Sequence, residues 1–293
     1  MQPEWFLKII LPGRLSFKNN TWVNAAVENQ KRSWSFSNEW KEHLLTQQQK
    51  TWDLTAAERL QHFFSETKTI PEQLPGKLVL DAGCGNGQLT KAISTTKANV
   101  VGIDRQLYLP GGEENLQFVQ DDFDDPPFIA QSFDIVIANG SIHHTKNTFH
   151  SFSSLAKLVK EDGKLYVWVY KKQKGWKRIL LGCLDLSRFI ISRIPPWLQR
   201  IKVNALTQCF YILSRIRKGE NSSRTKDEIR INVYDAFTPR YRYYFSTEEV
   251  NKWFTDCGFE QVAVTHNNNK YGFGMLGIKI KNKTPSAEGV KSN

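Results

Sequence analysis

The stretch VLDAGCGNGQ, Val79 to Gln88, decides how the rest of this chain is read. An apolar strand, Leu78 to Leu80, runs into Asp81. Glycines follow at alternate positions, Gly83, Gly85 and Gly87, and a helical run opens at Gln88. Backbone without side chains turns sharply and lets a ligand lie against its N–H groups. The first turn of the helix behind it offers unpaired donors. The combination specifies a nucleotide-type site at the end of a strand. Its spacing, D-x-G-x-G-x-G, differs from the G-x-G-x-x-G that seats a dinucleotide pyrophosphate.

Outward from this loop, strand and helix alternate, the pattern of a mostly parallel sheet. Strands are expected at 77–82, 99–104, 116–121, 133–139 and 164–170, with helices at 88–94 and 148–160. After an interruption, a helix is expected at 247–257, capped by Ser246 or Thr247 and stopped by Gly258. Two closing strands follow at 260–266 and 272–280. Asp104 ends the second strand, 17 residues after Gly87. A carboxylate there can accept hydrogen bonds from both hydroxyls of a ribose; the alternative is a solvated turn residue. The third strand runs into LQFVQDDFDDPPF, Leu116 to Phe128. Its acids read as loop charge beside a nucleotide pocket rather than as a metal site. No P-loop, H-E-x-x-H or G-x-S-x-G occurs.

Over about residues 76–280 these motifs resemble the class I, Rossmann-like, S-adenosylmethionine-dependent methyltransferases. The resemblance implies an α/β fold with a seven-stranded, mostly parallel sheet and an antiparallel last strand. It implies S-adenosyl-L-methionine as cofactor. Asp81, Gly83, Cys84, Gly85 and Gly87 would seat its methionine end. Asp104, with Arg105 beside it, would take the ribose. Asp122 would meet the adenine amino group and Phe123 the adenine ring, with Asp121 the competing choice, and Asn139 would complete the cofactor side. Asp125-Pro126-Pro127-Phe128 mimics a motif of base-amino methyltransferases, but follows the third strand where that family has it after the fourth. Asn139 to Thr145, NGSIHHT, instead resembles small-molecule methyltransferases of the ubiquinone and menaquinone biosynthesis type. His144, or else His143, would then remove a proton from the acceptor. Either histidine can equally be structural, since proximity alone carries many methyl transfers. Tyr170, Tyr234, Arg240 and Tyr241 are the candidates on the acceptor side. A narrower likeness rests on Phe36 to Trp40, Trp168-Val169-Tyr170 and Asp235 to Tyr241. Several of those relatives begin with a cysteine zinc ribbon; here no cysteine precedes Cys84, so no metal is expected.

Residues 1–75 are expected to form a helical, aromatic-rich cap, with five of nine tryptophans: Trp5, Trp22, Trp34, Trp40 and Trp52. Residues 171–234 are expected to be a basic helical insert over the substrate side, split by Pro195-Pro196, and 281–293 a disordered tail. The net charge of +11 belongs to one segment: residues 171–230 hold 15 Lys and Arg against 4 Asp and Glu, and the rest of the chain balances. Such a segment fits an anionic membrane surface, RNA phosphates, or a cap with a solvated face. The acceptor is expected to be a small or lipid-like molecule. The alternatives are an RNA methyltransferase and a non-catalytic cofactor-binding partner protein. Four scattered cysteines and the absence of a long apolar run suit a cytoplasmic chain, with peripheral association at the inner membrane surface.

Overall fold

The computed structural model describes residues 2–28, 54–106, 111–218, 225–268 and 271–281. Among these residues nine strands form one sheet: β1 (Ser16–Lys18), β2 (Thr21–Val23), β3 (Leu78–Ala82), β4 (Asn99–Asp104), β5 (Leu116–Gln120), β6 (Phe133–Asn139), β7 (Val159–Tyr170), β8 (Phe259–Asn268) and β9 (Gly272–Lys279). Their spatial order is β1-β2-β5-β4-β3-β6-β7-β9-β8. β3 to β7 pair in parallel, and β9 inserts antiparallel between β7 and β8. The chain runs from β3 outward to β4 and β5, then crosses back to β6 on the other side of β3. Open α/β sheets bind ligands at the carboxyl ends of strands beside such a reversal.

The strand alternation sorts the core into two layers. Leu78, Leu80, Ala82, Val101 and Ile103 face one side, where helices Thr148–Leu158 and Thr247–Asp256 contribute Phe152, Val250 and Phe254. Val79, Val100, Phe118 and Ile135 face the other, against Phe63 of helix α1 (Ala56–Thr67) and Leu89 and Ile93 of helix α2 (Gln88–Ser94). β3 and β5 are buried along their whole length, as strands covered on both faces must be. Thr55 with Glu58 and Ser246 with Glu249 form reciprocal capping boxes at two helix starts. Each such cap contributes about 1 kcal/mol.

Three expectations are corrected. The sheet has two strands beyond the expected seven, because part of the N-terminal region is a hairpin rather than helix. Phe17 pairs with Trp22 and Lys18 with Thr21, around Asn19 and Asn20 at φ 49° and 60°. Two left-handed asparagines make the turn that matches strand twist. β2 then lies parallel to β5, with the Trp22 indole donating to Gln117 Oε1 at 3.0 Å. The insert extends beyond residue 234: helices α4 (Trp176–Ile191) and α5 (Pro196–Lys218) are followed by α6 (Lys226–Phe237), α3 being Thr148–Leu158 and α7 Thr247–Asp256. Thr225 and Glu228 cap α6. The third correction concerns residues 159–163, which the expected helix at 148–160 and strand at 164–170 leave as a helix end and a connection. They lie within β7, where Asp162 has φ 60° and the pairing with β6 skips from Val159 to Lys164. Trp34, Trp40, Trp52, the Phe36–Trp40 segment and residues 282–293 lie outside the described residues.

Candidate functional site

The glycine loop leaves β3 with Gly83, Gly85 and Gly87 all at positive φ. The Gly83 and Cys84 amides donate to the Ile103 carbonyl at 2.8 and 3.2 Å, which pins the loop across the end of β4. A Cβ on Gly83 would overlap Ser141 and stand 3.6 Å from the Phe123 ring, so glycine is required there by space as well as by φ. Ser141 is held in place by donating to the Ala82 carbonyl at 2.7 Å.

Asp81 is buried and accepts from the Thr90 hydroxyl at 2.7 Å, bracing the first turns of α2 against the end of β3. Burial pushes its carboxyl up to about 6; the Thr90 hydroxyl opposes the shift and the Asp104 charge adds to it. Cys84 turns its sulfur into the core beneath Gly102, and burial pushes its thiol up. It therefore offers the site its backbone alone.

Asp104 accepts from the Gly85 amide at 2.9 Å and, through its other oxygen, from the Gln106 amide at 3.0 Å. Burial pushes this carboxyl up to about 6 as well, against those backbone donors. A carboxylate has about four acceptor positions, so these backbone donors leave capacity for a ribose hydroxyl. Gln106, which the sequence did not single out, is buried and hydrogen-bonds the Gly85 carbonyl through Nε2, while its Oε1 has no partner among the described residues. A glycine cradle, an acid behind it and an orphaned acceptor beside it suit a ribose-bearing ligand.

The choice between Asp121 and Asp122 divides on geometry. Asp121 is buried and accepts from Asn24 at 2.9 Å, tying the N-terminal segment to the end of β5. Asp122 pairs at 3.1 Å with Arg105, the residue after Asp104. Phe123 is buried against Gly83. Asn139 ends β6, half-buried, one residue before Gly140 at φ 80°.

The two histidines follow on a single turn, Ile142–His144. His144 Nδ1 lies 2.9 Å from the Tyr241 carbonyl and Nε2 3.4 Å from Asp235 Oδ1. Both ring nitrogens face acceptors, so this imidazole is fixed between two elements. His143 is 1% exposed, its Nδ1 has no partner among the described residues, and its ring centre lies 4.4 Å from that of Tyr170. Burial holds its imidazole well below the ordinary value, and the neighbouring His144 adds to the shift.

Tyr170 donates to Asp235 Oδ2 at 2.6 Å, and the Arg242 guanidinium stacks 4.0 Å over its ring. Burial works to raise the Asp235 carboxyl, but the hydrogen bond from His144 and the Arg242 charge outweigh it and the net shift is downward. The chain of contacts continues through Tyr244, 3.3 Å from Asp185, to Arg188, 2.9 Å from the same carboxylate. A partly buried chain of polar contacts thus joins the end of β7 to the insert. Asp235 had a signal in the sequence, the D-x-x-x-P-x-Y segment; Arg242 had none beyond its place in an arginine–tyrosine run. Tyr241 supplies a carbonyl to His144 and stacks on Tyr243 at 6.4 Å. Arg240 is exposed. Tyr234 is brought elsewhere: it is buried in the insert's own core with Ile191, Val203, Ile229, Val233 and Phe237.

Residues 80–167 match the family described as methyltransferase domain. A ubiquinone biosynthesis O-methyltransferase of Erwinia tasmaniensis is 26% identical over 137 residues, covering 43% of this chain and 55% of the relative. Its namesake from Coxiella burnetii strain Dugway is 31% identical over 152 residues, covering 48% of this chain and 65% of the relative. The match thus spans little more than half to two thirds of these relatives. Among solved structures, the 1,6-didemethyltoxoflavin-N1-methyltransferase of Burkholderia thailandensis is similar at 13% identity and TM-score 0.48, over 88% of this chain and 89% of that one. The domain built on β3 to β7 is a class I, Rossmann-like methyltransferase domain, and S-adenosylmethionine is the cofactor of that class.

Proposed function

We infer that this class I S-adenosylmethionine-dependent methyltransferase domain serves an enzyme that methylates a small or lipid-like acceptor while its insert rests on an anionic membrane surface. The observation that carries the reading is the exposure of large apolar side chains along the insert. Trp176, Ile179, Leu186, Trp197 and Ile216 are 64–75% exposed, on helices within the segment that holds the whole net charge. Soluble surfaces seldom leave large apolar side chains together in this way. Aromatic and aliphatic side chains among lysines and arginines suit a headgroup boundary. No helix among the described residues is long and apolar enough to cross a membrane, so the association would be peripheral.

When bound, S-adenosylmethionine supplies a methyl group on a positively charged sulfur that leaves readily. The glycine loop, whose missing side chains leave its backbone open to close approach, would seat its methionine end with Asp81 behind it, Asp104 would take its ribose, and Asp122 with Phe123 its adenine. Arg105 would hold Asp122 in place and Asn139 close the cofactor side. The remaining work is to bring an acceptor atom into line and keep water out. If the acceptor is a hydroxyl, as the names of the curated relatives support, its proton must leave. His143 is the better candidate for taking it, since its Nδ1 lone pair is unoccupied and burial favours the neutral ring. Tyr170, Tyr241 and Arg240 would border the acceptor.

The test is to incubate the full chain and an Asp104→Ala variant with methyl-labelled cofactor and a cell extract, then separate lipid, small-molecule and RNA pools. Label in the lipid or small-molecule pool, lost in the variant, is the expected result. Label confined to RNA would move the acceptor to nucleic acid, and no label in any pool would favour a non-catalytic cofactor-binding protein.

A further inference from the structure

On the face of the sheet covered by α1, three metal-ligating side chains converge that the site described above does not use. His62 and Glu66 stand one turn apart on α1, four residues on the same helical face. His266 reaches them from β8, the outermost strand at that end of the sheet. Glu66 Oε1 lies 3.0 Å from His266 Nδ1 and 3.8 Å from His62 Nδ1, and one donor atom from each residue falls within 4.8 Å of the others. The imidazole centres are 5.9 Å apart. We propose that His62, Glu66 and His266 form a binding site for a divalent transition metal ion of the zinc class.

The donor geometry is close to what such an ion needs. Zinc takes nitrogen and oxygen ligands at about 2.0–2.2 Å, which in a tetrahedron puts donors roughly 3.3 Å apart. The closer pairs already bracket that separation, and the widest needs a contraction of about 1.5 Å, within reach of rotation of the half-exposed His62 ring. Two imidazoles and one carboxylate favour zinc, cobalt or nickel over calcium or magnesium, which take all-oxygen sites. Three protein ligands leave a fourth position for water. The carboxylate is the buried member, at 6% side-chain exposure, and the imidazoles are the open ones, at 44% and 29%. An ion therefore has access from solvent and meets a buried carboxyl group at the bottom of the site.

Bound metal would clamp α1 to β8, elements far apart in sequence that already pack against one another. Closing so long a loop favours the folded chain, and a ligand that binds only the folded state raises its melting temperature.

The experiment uses untagged full-length protein stripped with a chelator and titrated with Co2+, whose visible absorption reports low-symmetry nitrogen and oxygen coordination, then displaced by Zn2+. One ion per chain is expected, with a rise in Tm on the order of 5 °C at a hundredfold excess of Zn2+ over Kd. His62→Ala, Glu66→Gln and His266→Ala should each weaken binding at least tenfold, and His150→Ala, an exposed histidine elsewhere, should not. The His62 variant alters a half-exposed side chain and tests the site without disturbing the core. Co2+ binding unchanged in the His62 and His266 variants, or no stoichiometric binding by the parent, overturns the proposal and leaves the cluster as a hydrogen-bonded contact.

Discussion

Asp104 is the residue on which the cofactor reading can be tested most directly, because its two oxygens already organise Gly85 and Gln106. Asp104→Ala should weaken binding of S-adenosylhomocysteine by about 1.5–3 kcal/mol, the worth of a hydrogen bond to a charged group, as read by calorimetry on a variant checked for folding. The same carboxyl sets a pH dependence. Its folded value is about 6 against an ordinary 3.8, so between those limits the unliganded fold holds a proton that the unfolded chain has released. Ionisation therefore costs the free protein stability as pH rises from about 4 to 6. Ribose hydroxyls favour the ionised form, so cofactor affinity should climb with pH through 6, level off above it, and fall about fivefold between pH 6 and 5. A flat affinity over that range would remove Asp104 from the ribose role. For the histidines, His143→Ala should slow turnover about 100-fold with cofactor affinity unchanged, as loss of a base does, and flatten the pH profile. His144→Ala should instead lower Tm. The place of Asp104 at a strand end was legible because strand-end spacing is local. The direction of Cys84 and the different surroundings of the two adjacent histidines were not, since these depend on partners in Gly102, Tyr241 and Asp235 that folding brings in from other elements.

Between elements, the decisive contact is Asp235, on α6, with His144 after β6 and Tyr170 at the end of β7. Asp235→Asn leaves the Arg242 charge and the His144 ring without their anion, and breaking a buried pair from one side costs on the order of 3 kcal/mol. Denaturant unfolding should register that loss. Because the native carboxyl is shifted downward, the difference between parent and variant should shrink as pH falls below about 4, where the unfolded chain's aspartates begin to protonate. An equal gap at pH 3 and pH 7 would mean that packing rather than charge holds the insert. The elements themselves were largely readable. The seven central strands and the helices at 88–94 and 247–256 carry their period and caps in sequence. The Asn19-Asn20 hairpin was also written there, but strands of three residues give too few alternations to outweigh a neighbourhood rich in tryptophan. α6 announced itself by the Thr225–Glu228 box and was obscured by the length of the basic segment before it.

Taken whole, the molecule is polarised: balanced charge over the sheet, and all of the excess with the exposed tryptophans on the insert. Binding to anionic vesicles should exceed binding to neutral ones and fall with salt as screening shortens toward about 3 Å at 1 M. Replacing Lys171 and Lys174 with glutamine should weaken it at least tenfold, at about 1 kcal/mol per charge, with cofactor affinity intact. Equal indifference to both vesicles and to single-stranded RNA would reduce the charge to a solvated face. At the opposite edge, Trp22 bonds Gln117, a partner 95 residues further along the chain. During synthesis at about 5–20 residues per second, the indole waits roughly 5–20 s for that partner to be made. Its turn of two asparagines lets Phe17 cover it meanwhile, their rings 5.0 Å apart. β2 must close about 97 residues to reach its partner, against 21 for β3 with β4 and 56 for β3 with β6, and in refolding followed by pulsed hydrogen exchange the amides that join β2 to β5 should gain protection after those of β3, β4 and β6.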